Sequence, residues 1–192
     1  MKLIALIGQK KSGKSEVAKV LAWNGFTNVK FAQPLKNMLL TLPGISSAHI
    51  EGHLKEEPCE IFNGKTVRYA MQTLGTEWGR DCIDQNIWLN LWKRQIKRLK
   101  RVSCDDCRFL NEAQAVKDMG GEIWEIRRKN MDQDEHSSET EMAKISPDVV
   151  VHNNGTLYDL GIAVNAIVGS LDTTDLWQGE DVHPRAIEGS DA

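Results

Sequence analysis

No stretch of this sequence is apolar for long enough to span a membrane. The apolar opening, Met1 to Ile7, is cut short by Gly8 and the lysines behind it, too soon for a signal peptide. Positive charge is not in excess either: 24 Lys and Arg stand against 27 Asp and Glu, a net charge of -3, so a nucleic-acid polymer is not an expected partner. Cysteine is scarce. Four residues, at positions 59, 82, 104 and 107, are too few and too scattered for a disulfide-stapled secreted domain, and a reducing cytoplasm is the expected compartment. Cys104 and Cys107 form a C-x-x-C pair, but no second pair or paired histidines follow, so they read as two half-buried thiols at a strand end rather than a zinc site. An internal repeat and a guanine-reading N-K-x-D sequence are also missing.

What is present is an alternation of strand and helix signals. Lys2 to Ile7 is a continuous apolar run opening onto a glycine loop, the mark of a fully buried parallel strand. Ser15 to Trp23 has helical spacing, Asn28 to Ala32 reads as a second strand, and Pro34 suits the first turn of a helix that Pro43 and Gly44 stop. Ile45 to Thr66 lacks periodicity and reads as a loop or flap. Two amphipathic helices follow, around Val67 to Trp78 and Trp88 to Leu99, broken near Asp81 to Asp84. Further strands are expected at Arg101 to Cys104, Glu122 to Ile126 and Asp148 to Val151, with helices at Glu112 to Met119 and Leu157 to Val168. The polar stretch after the fourth strand suits a lid. This pattern predicts one three-layer α/β domain, a five-stranded parallel sheet with helices on both faces. Its expected division is a catalytic domain over 1–170, with an acceptor-binding helical region about 33–100 and the lid about 127–146. An acidic tail over 171–192 completes the chain.

Gly8-Gln9-Lys10-Lys11-Ser12-Gly13-Lys14-Ser15 satisfies G-x-x-x-x-G-K-[ST] and stands between a buried strand and a helix start. The glycines allow a tight bend whose backbone N–H groups converge on phosphate oxygens, and the helix dipole adds to the attraction. Gly8, Lys11, Ser12, Gly13, Lys14 and Ser15 are therefore expected to hold the phosphates of ATP, Lys14 reaching the β- and γ-phosphates and the Ser15 hydroxyl ligating Mg²⁺. A P-loop alone does not separate motors, switches and small-molecule kinases, but a chain this short has no room for the extra domains of helicases or transporters.

The acceptor side is sought among carboxylates and arginines. Asp105 and Asp106 end the third strand, where such a sheet places the carboxylate that supports Mg²⁺ or the attacking oxygen; capping of the next helix is the alternative for Asp106. Arg68, Arg80 and Arg108 lie at element ends near the acceptor loops, and guanidinium forks match phosphate oxygens. Arg127 and Arg128 open the lid, from which positive charge could reach the migrating phosphoryl group. Trp78 fits a core stripe as well as a base-stacking face.

Four segments carry a family resemblance: the P-loop; Phe31-Ala32-Gln33-Pro34-Leu35-Lys36; Gln72 to Arg80; and Asp106-Cys107-Arg108-Phe109-Leu110-Asn111-Glu112. His136 to Glu139 and Asp148 to Gly155 add to it. Over roughly residues 1 to 170 the chain resembles the deoxynucleoside monophosphate kinases of tailed bacteriophages, which are similar in fold to P-loop nucleoside monophosphate kinases. The resemblance implies transfer of the γ-phosphoryl group of ATP to a deoxynucleoside monophosphate. It also implies Lys36, Arg68, Arg80, Arg108 and Asp105 around the acceptor, Trp78 on its base, and Lys14, Asp106, Arg108 and Arg128 in catalysis. ATP would be held also by Arg127, and Mg²⁺ by Ser15 and Asp106. Leu110 stands where the family commonly has proline and Asp105 where it often has threonine. Rival acceptors are dephospho-coenzyme A and phosphomevalonate, and a nucleotide-dependent switch is the rival from another class. The sequence is compatible with a homodimer, and in a phage-encoded protein the compartment would be the host cytoplasm.

The P-loop reading predicts that Lys14→Ala loses several orders of magnitude in ATP turnover, while its circular dichroism spectrum and thermal midpoint stay those of the wild type.

Overall fold

The computed structural model describes residues 1–129 and 141–177. Most of the expected lid, including His136 to Glu139, and the tail from 178 onward lie outside the described residues. Strands β1 (Lys2–Ile7), β2 (Thr27–Asn28), β3 (Arg101–Cys104), β4 (Glu122–Arg127) and β5 (Val149–His152) form one sheet in the order β2-β3-β1-β4-β5. Every neighbouring pair is parallel, as the alternating pattern predicts. The helices are α1 (Lys14–Trp23), α2 (Gln33–Leu40), α3 (Ser47–Ile50), α4 (Val67–Thr73), α5 (Ile87–Ile96), α6 (Leu110–Asp118) and α7 (Leu157–Trp177).

Successive side chains of a strand point to opposite faces, so the apolar run of β1 supplies two cores at once. Leu3, Ala5 and Ile7 face Trp92 and Ile96 of α5 and Val116 of α6. Ile4 and Leu6 face Val17 and Leu21 of α1, Trp124 of β4 and Val164 of α7. A third cluster, Leu39, Ile45, Ile50, Cys59 and Val67, lies apart from the sheet beneath α2, α3 and α4.

Several expectations are corrected. The second strand is not Asn28 to Ala32 but Thr27–Asn28, because the Phe31 and Ala32 amides donate to Asp106 at 2.8 and 3.0 Å instead of to a neighbouring strand. Ile45 to Thr66 is not a loose flap. It folds into α3, the 3-10 turns His53–Glu56 and Glu60–Phe62, and a bridge between Pro58 and Thr66, with Ile45, Ile50 and Cys59 anchored in the third core. Each of these pieces spans only about one helical turn, too short for a periodic signal to mark it. The last helix continues to Trp177 rather than stopping at Val168. The helix expected around Val67 to Trp78 runs on as a π-helical segment, Leu74–Ile83, and the expected break before α5 falls at Asp84 to Asn86.

The topology also fixes where chemistry can happen. Ala5 pairs with Cys104 and Ile7 with Glu125, so the phosphate loop, the Asp105-Asp106 corner and Arg127-Arg128 leave three adjacent strands on one edge of the sheet. Adjacent strands are about 4.8 Å apart, which brings these segments within ligand reach of one another.

Trp92 ties the first core together: it is fully buried, stacks on Phe31 with ring centroids 4.3 Å apart, and donates its indole N–H to the Val29 carbonyl at 2.8 Å. Trp92→Phe leaves that carbonyl unpaired and is expected to cost about 1–3 kcal/mol in urea unfolding.

Candidate active site

The phosphate loop is built on two glycines that only glycine can be. Gly8 has φ 140° and Gly13 φ 107°. A Cβ at Gly8 would stand 2.4 Å from the Ile126 carbonyl oxygen, and one at Gly13 2.3 Å from Asn153 Nδ2. Asn153, buried just past β5, donates its side-chain amide to the Ser12 carbonyl at 2.9 Å and its backbone N–H to the Arg127 carbonyl at 2.7 Å. The end of β5 thus props the loop from beneath. Lys14 folds back over the bend, its Nζ donating to the carbonyls of Gly8 at 2.5 Å and Gln9 at 2.8 Å. Ser15 is exposed at the start of α1, as are Lys10 and Lys11 on the bend.

These residues fit the group they are expected to hold. The Ser12 hydroxyl is buried in the bend with no hydrogen-bond partner among the described residues, an orphaned polar atom that a phosphate oxygen would satisfy. The helix start adds a field of the matching sign.

Past the end of β3, the strand next to the one that carries the loop, a cavity of about 240 Å³ opens between the sheet and the third core. Its cations are Lys36, Lys55, Arg68, Arg80 and Arg108, and its apolar walls include Phe31, Leu35, Trp88 and Phe109. The predicted acceptor residues Lys36, Arg68, Arg80 and Arg108 therefore meet in one place. Lys55, Gln72 and Glu112 join them unforeseen; Gln72 and Glu112 stand inside the motifs that marked the site, but Lys55 lies in a segment with no periodic signal. Trp78 is not brought there. It is half-exposed outside the lining, tilted against Trp88 at 6.3 Å between centroids. Gly79 admits that neighbour, since a Cβ on it would stand 2.5 Å from the Trp88 ring, and Trp88 donates its indole N–H to the Gly75 carbonyl at 2.7 Å.

The acidic residues have different partners. Asp106 lines the cavity, and its two oxygens accept the Phe31 and Ala32 amides, so it holds the entry to α2 rather than capping the helix near Leu110. The Cys104 thiol also donates to it at 3.1 Å. Asp105 is buried, accepts from the Asn28 amide at 3.1 Å and lies 3.7 Å from Lys30. Although burial works against it, Asp105, Glu51 and Asp106 together hold the Lys30 ammonium above its ordinary value. Glu112, 2% exposed, accepts the Arg80 guanidinium at 2.7 Å and the amides of Arg108 and Phe109 at 3.0 and 3.2 Å. Arg80 also lies over the Phe109 ring, 3.9 Å from its centroid.

Cys104 and Cys107 are buried completely rather than by half, and burial pushes both thiols well above their ordinary value. Arg127 pairs with Glu125 at 2.7 Å on the surface, and Arg128 is exposed beside it. Among the described residues no helix is long and apolar enough to cross a membrane.

The sequence model of the family described as deoxynucleotide monophosphate kinase matches residues 41–164. A protein of Acanthamoeba polyphaga mimivirus, provisionally assigned as a deoxynucleotide monophosphate kinase, is 36% identical over 175 residues, covering 82% of this chain and 91% of its own. Among solved structures, a gluconokinase from Sinorhizobium meliloti superposes with a TM-score of 0.50 at 11% identity, over 93% of this chain and 98% of that one. A shikimate kinase from Aquifex aeolicus gives 0.49 at 16% identity, over 92% and 99%. At such identities the likeness concerns the fold alone.

Burial pushes the Glu112 carboxyl up to about 7, against the Arg108 and Phe109 amides and the Arg80 guanidinium. A folded-state value above the ordinary 4.5 means that the stability this group contributes is complete below 4.5 and is lost as pH rises through about 7. Denaturant titrations of wild type and Glu112→Gln across that window should therefore diverge in favour of the variant as pH rises, by on the order of 1–3 kcal/mol.

Proposed function

We propose that this chain, which belongs to the deoxynucleotide monophosphate kinase family, moves the γ-phosphoryl group of ATP onto the phosphate of a deoxynucleoside monophosphate. The products are ADP and a deoxynucleoside diphosphate. The observation that carries this reading is the juxtaposition at one sheet edge of a phosphate loop, at the end of β1, with a cation-walled cavity at the end of β3. One site suits a triphosphate and the other a smaller anion.

In this reading the loop amides, Lys11, Ser12 and Gly13, with the Gly8 bend, bind the triphosphate. Lys14 would exchange its two loop carbonyls for the β- and γ-phosphate oxygens. Ser15 would hold Mg²⁺, whose chemistry is to neutralise charge on the phosphates. An acceptor phosphate oxygen forms the new bond to the γ-phosphorus as the bond to the ADP oxygen breaks, and no covalent intermediate on the protein is required. Both carboxylates past β3 have partners, Asp106 the two amides that set α2 and Asp105 the Asn28 amide and Lys30; Asp106 alone of the two lines the cavity, which makes it the candidate to prepare the attacking oxygen or help hold Mg²⁺. Arg108 lines the cavity, and Arg127 ends β4 with Arg128 behind it, where charge can meet the transferring group. Arg80, engaged by Glu112 and Phe109, acts as a fixed wall of the acceptor cavity. Trp78 has no place in this reading; the apolar walls for a base are Phe31, Leu35, Trp88 and Phe109, with Gln72 as a polar group that can meet a base edge.

The test is thin-layer analysis of γ-labelled ATP with the common deoxynucleoside monophosphates, their ribose counterparts, dephospho-coenzyme A and phosphomevalonate. Label should pass to at least one deoxynucleoside monophosphate, with ADP released in equal amount. Transfer to either of the last two acceptors and to no deoxynucleotide would refute the acceptor; slow ATP loss that no acceptor stimulates would favour a switch.

A further inference from the structure

The ion pairs of the cavity wall leave a cation over. Lys36 is paired with Glu51 at 2.7 Å, Arg68 with Glu56, and Arg80 with Glu112 at 2.7 Å. Lys55 lines the same cavity, is half-buried, and among the described residues its ammonium has neither an ion pair nor a hydrogen bond. It sits on the 3-10 turn His53–Glu56, which packs against α3 and α4 over the third core, so its place is set by the fold and not by a free loop.

The charges around Lys55 are Lys36 on α2, Arg68 on α4, Glu51 at the end of α3 and Glu56 on its own turn. Burial, then Lys36 and Arg68, pull its ammonium below the ordinary value, and the two glutamates do not restore it. A half-desolvated ammonium crowded by two cations costs free energy that a bound dianion would recover. A phosphate monoester is a dianion near neutral pH, and a lysine at the mouth of two guarded cations meets it as a point charge.

Resting on the deoxynucleoside monophosphate reading above, we propose that Lys55 binds the phosphate of the acceptor, with Lys36 and Arg68 flanking it, and so separates a phosphorylated acceptor from the bare nucleoside. The residue is a specificity determinant supplied by the segment between α3 and α4, whereas Arg108 comes to the same cavity from the segment between β3 and α6.

Two measurements on the full chain test this. In steady-state kinetics Lys55→Gln should raise KM for the deoxynucleoside monophosphate about 10- to 100-fold, the loss of one charge-assisted hydrogen bond, with kcat within about threefold. KM for ATP should stay unchanged, and Lys55→Arg should recover most of the loss. The second readout needs no turnover: limited acylation with acetic anhydride, followed by peptide mass spectrometry, in the Lys14→Ala background so that phosphate in the loop does not contribute. Labelling of Lys55 should be slowed by a deoxynucleoside monophosphate and by millimolar inorganic phosphate, and not by the deoxynucleoside. An unchanged KM in Lys55→Gln, or labelling indifferent to both phosphates, overturns the proposal and leaves the kinase reading standing. Protection by inorganic phosphate in a protein that transfers nothing to any deoxynucleotide supports the anion site and defeats the acceptor assignment instead.

Discussion

A strand paired on both sides and buried on both faces has used its hydrogen bonds and its side chains by the time it ends, and β1 is such a strand. Leu3 to Ile7 are committed to two cores, and their backbone is committed to β3 and β4. The chain must then leave the sheet within a few residues, with amides that no strand will take. Gly8 makes that exit by passing under the Ile126 carbonyl where no side chain fits, and Gly13 makes the entry to α1 against Asn153. The tight bend, the buried Ser12 hydroxyl and the helix start are consequences of this exit. Together they suit the phosphate group that the proposed function assigns to them.

The same accounting explains the acceptor side. β2 is too short to take up the amides of Phe31 and Ala32, and Asp106 accepts them from the end of β3. One carboxylate thereby joins the strand that borders the phosphate loop to the helix that carries Lys36. Asp105, a single residue away, faces Asn28 and Lys30 instead. From Lys30 the charges alternate through Glu51 to Lys36, at 3.8 and 2.7 Å, so a chain of ion pairs runs from the strand end to the cavity wall. Charge in this region is ordered by partners, and the groups left without one mark where a ligand can act.

The cavity is also a seam between cores. Its one side belongs to the first sheet core, through Phe31 and the segment Asp106 to Glu112, and its other to the third core, through the elements that carry Lys55 and Arg68. The π-helical segment bridges them: its wide turn leaves the Gly75 carbonyl to the Trp88 indole and brings Arg80 onto Phe109 and Glu112. A binding site between two separately packed units can be shaped by either without disturbing the sheet.

Much of this was legible in the chain itself. The apolar run of β1, the G-x-x-x-x-G-K-S bend and the alternation of periods two and 3.6 determined a parallel sheet with a phosphate loop at one edge, because those signals are local and backbone physics alone enforces them. Lys36, Arg68, Arg80 and Arg108 could be nominated from their place at element ends. Only the tertiary structure decided that they share one cavity and that Trp78 stands outside it. It alone decided that Asp106 serves the backbone, and that Lys55, on a turn with no periodic signature, lies unpaired among other cations. Those outcomes depend on which distant groups supply each hydrogen bond and counter-charge, and a neighbour in space leaves no mark on the spacing of residues along the chain.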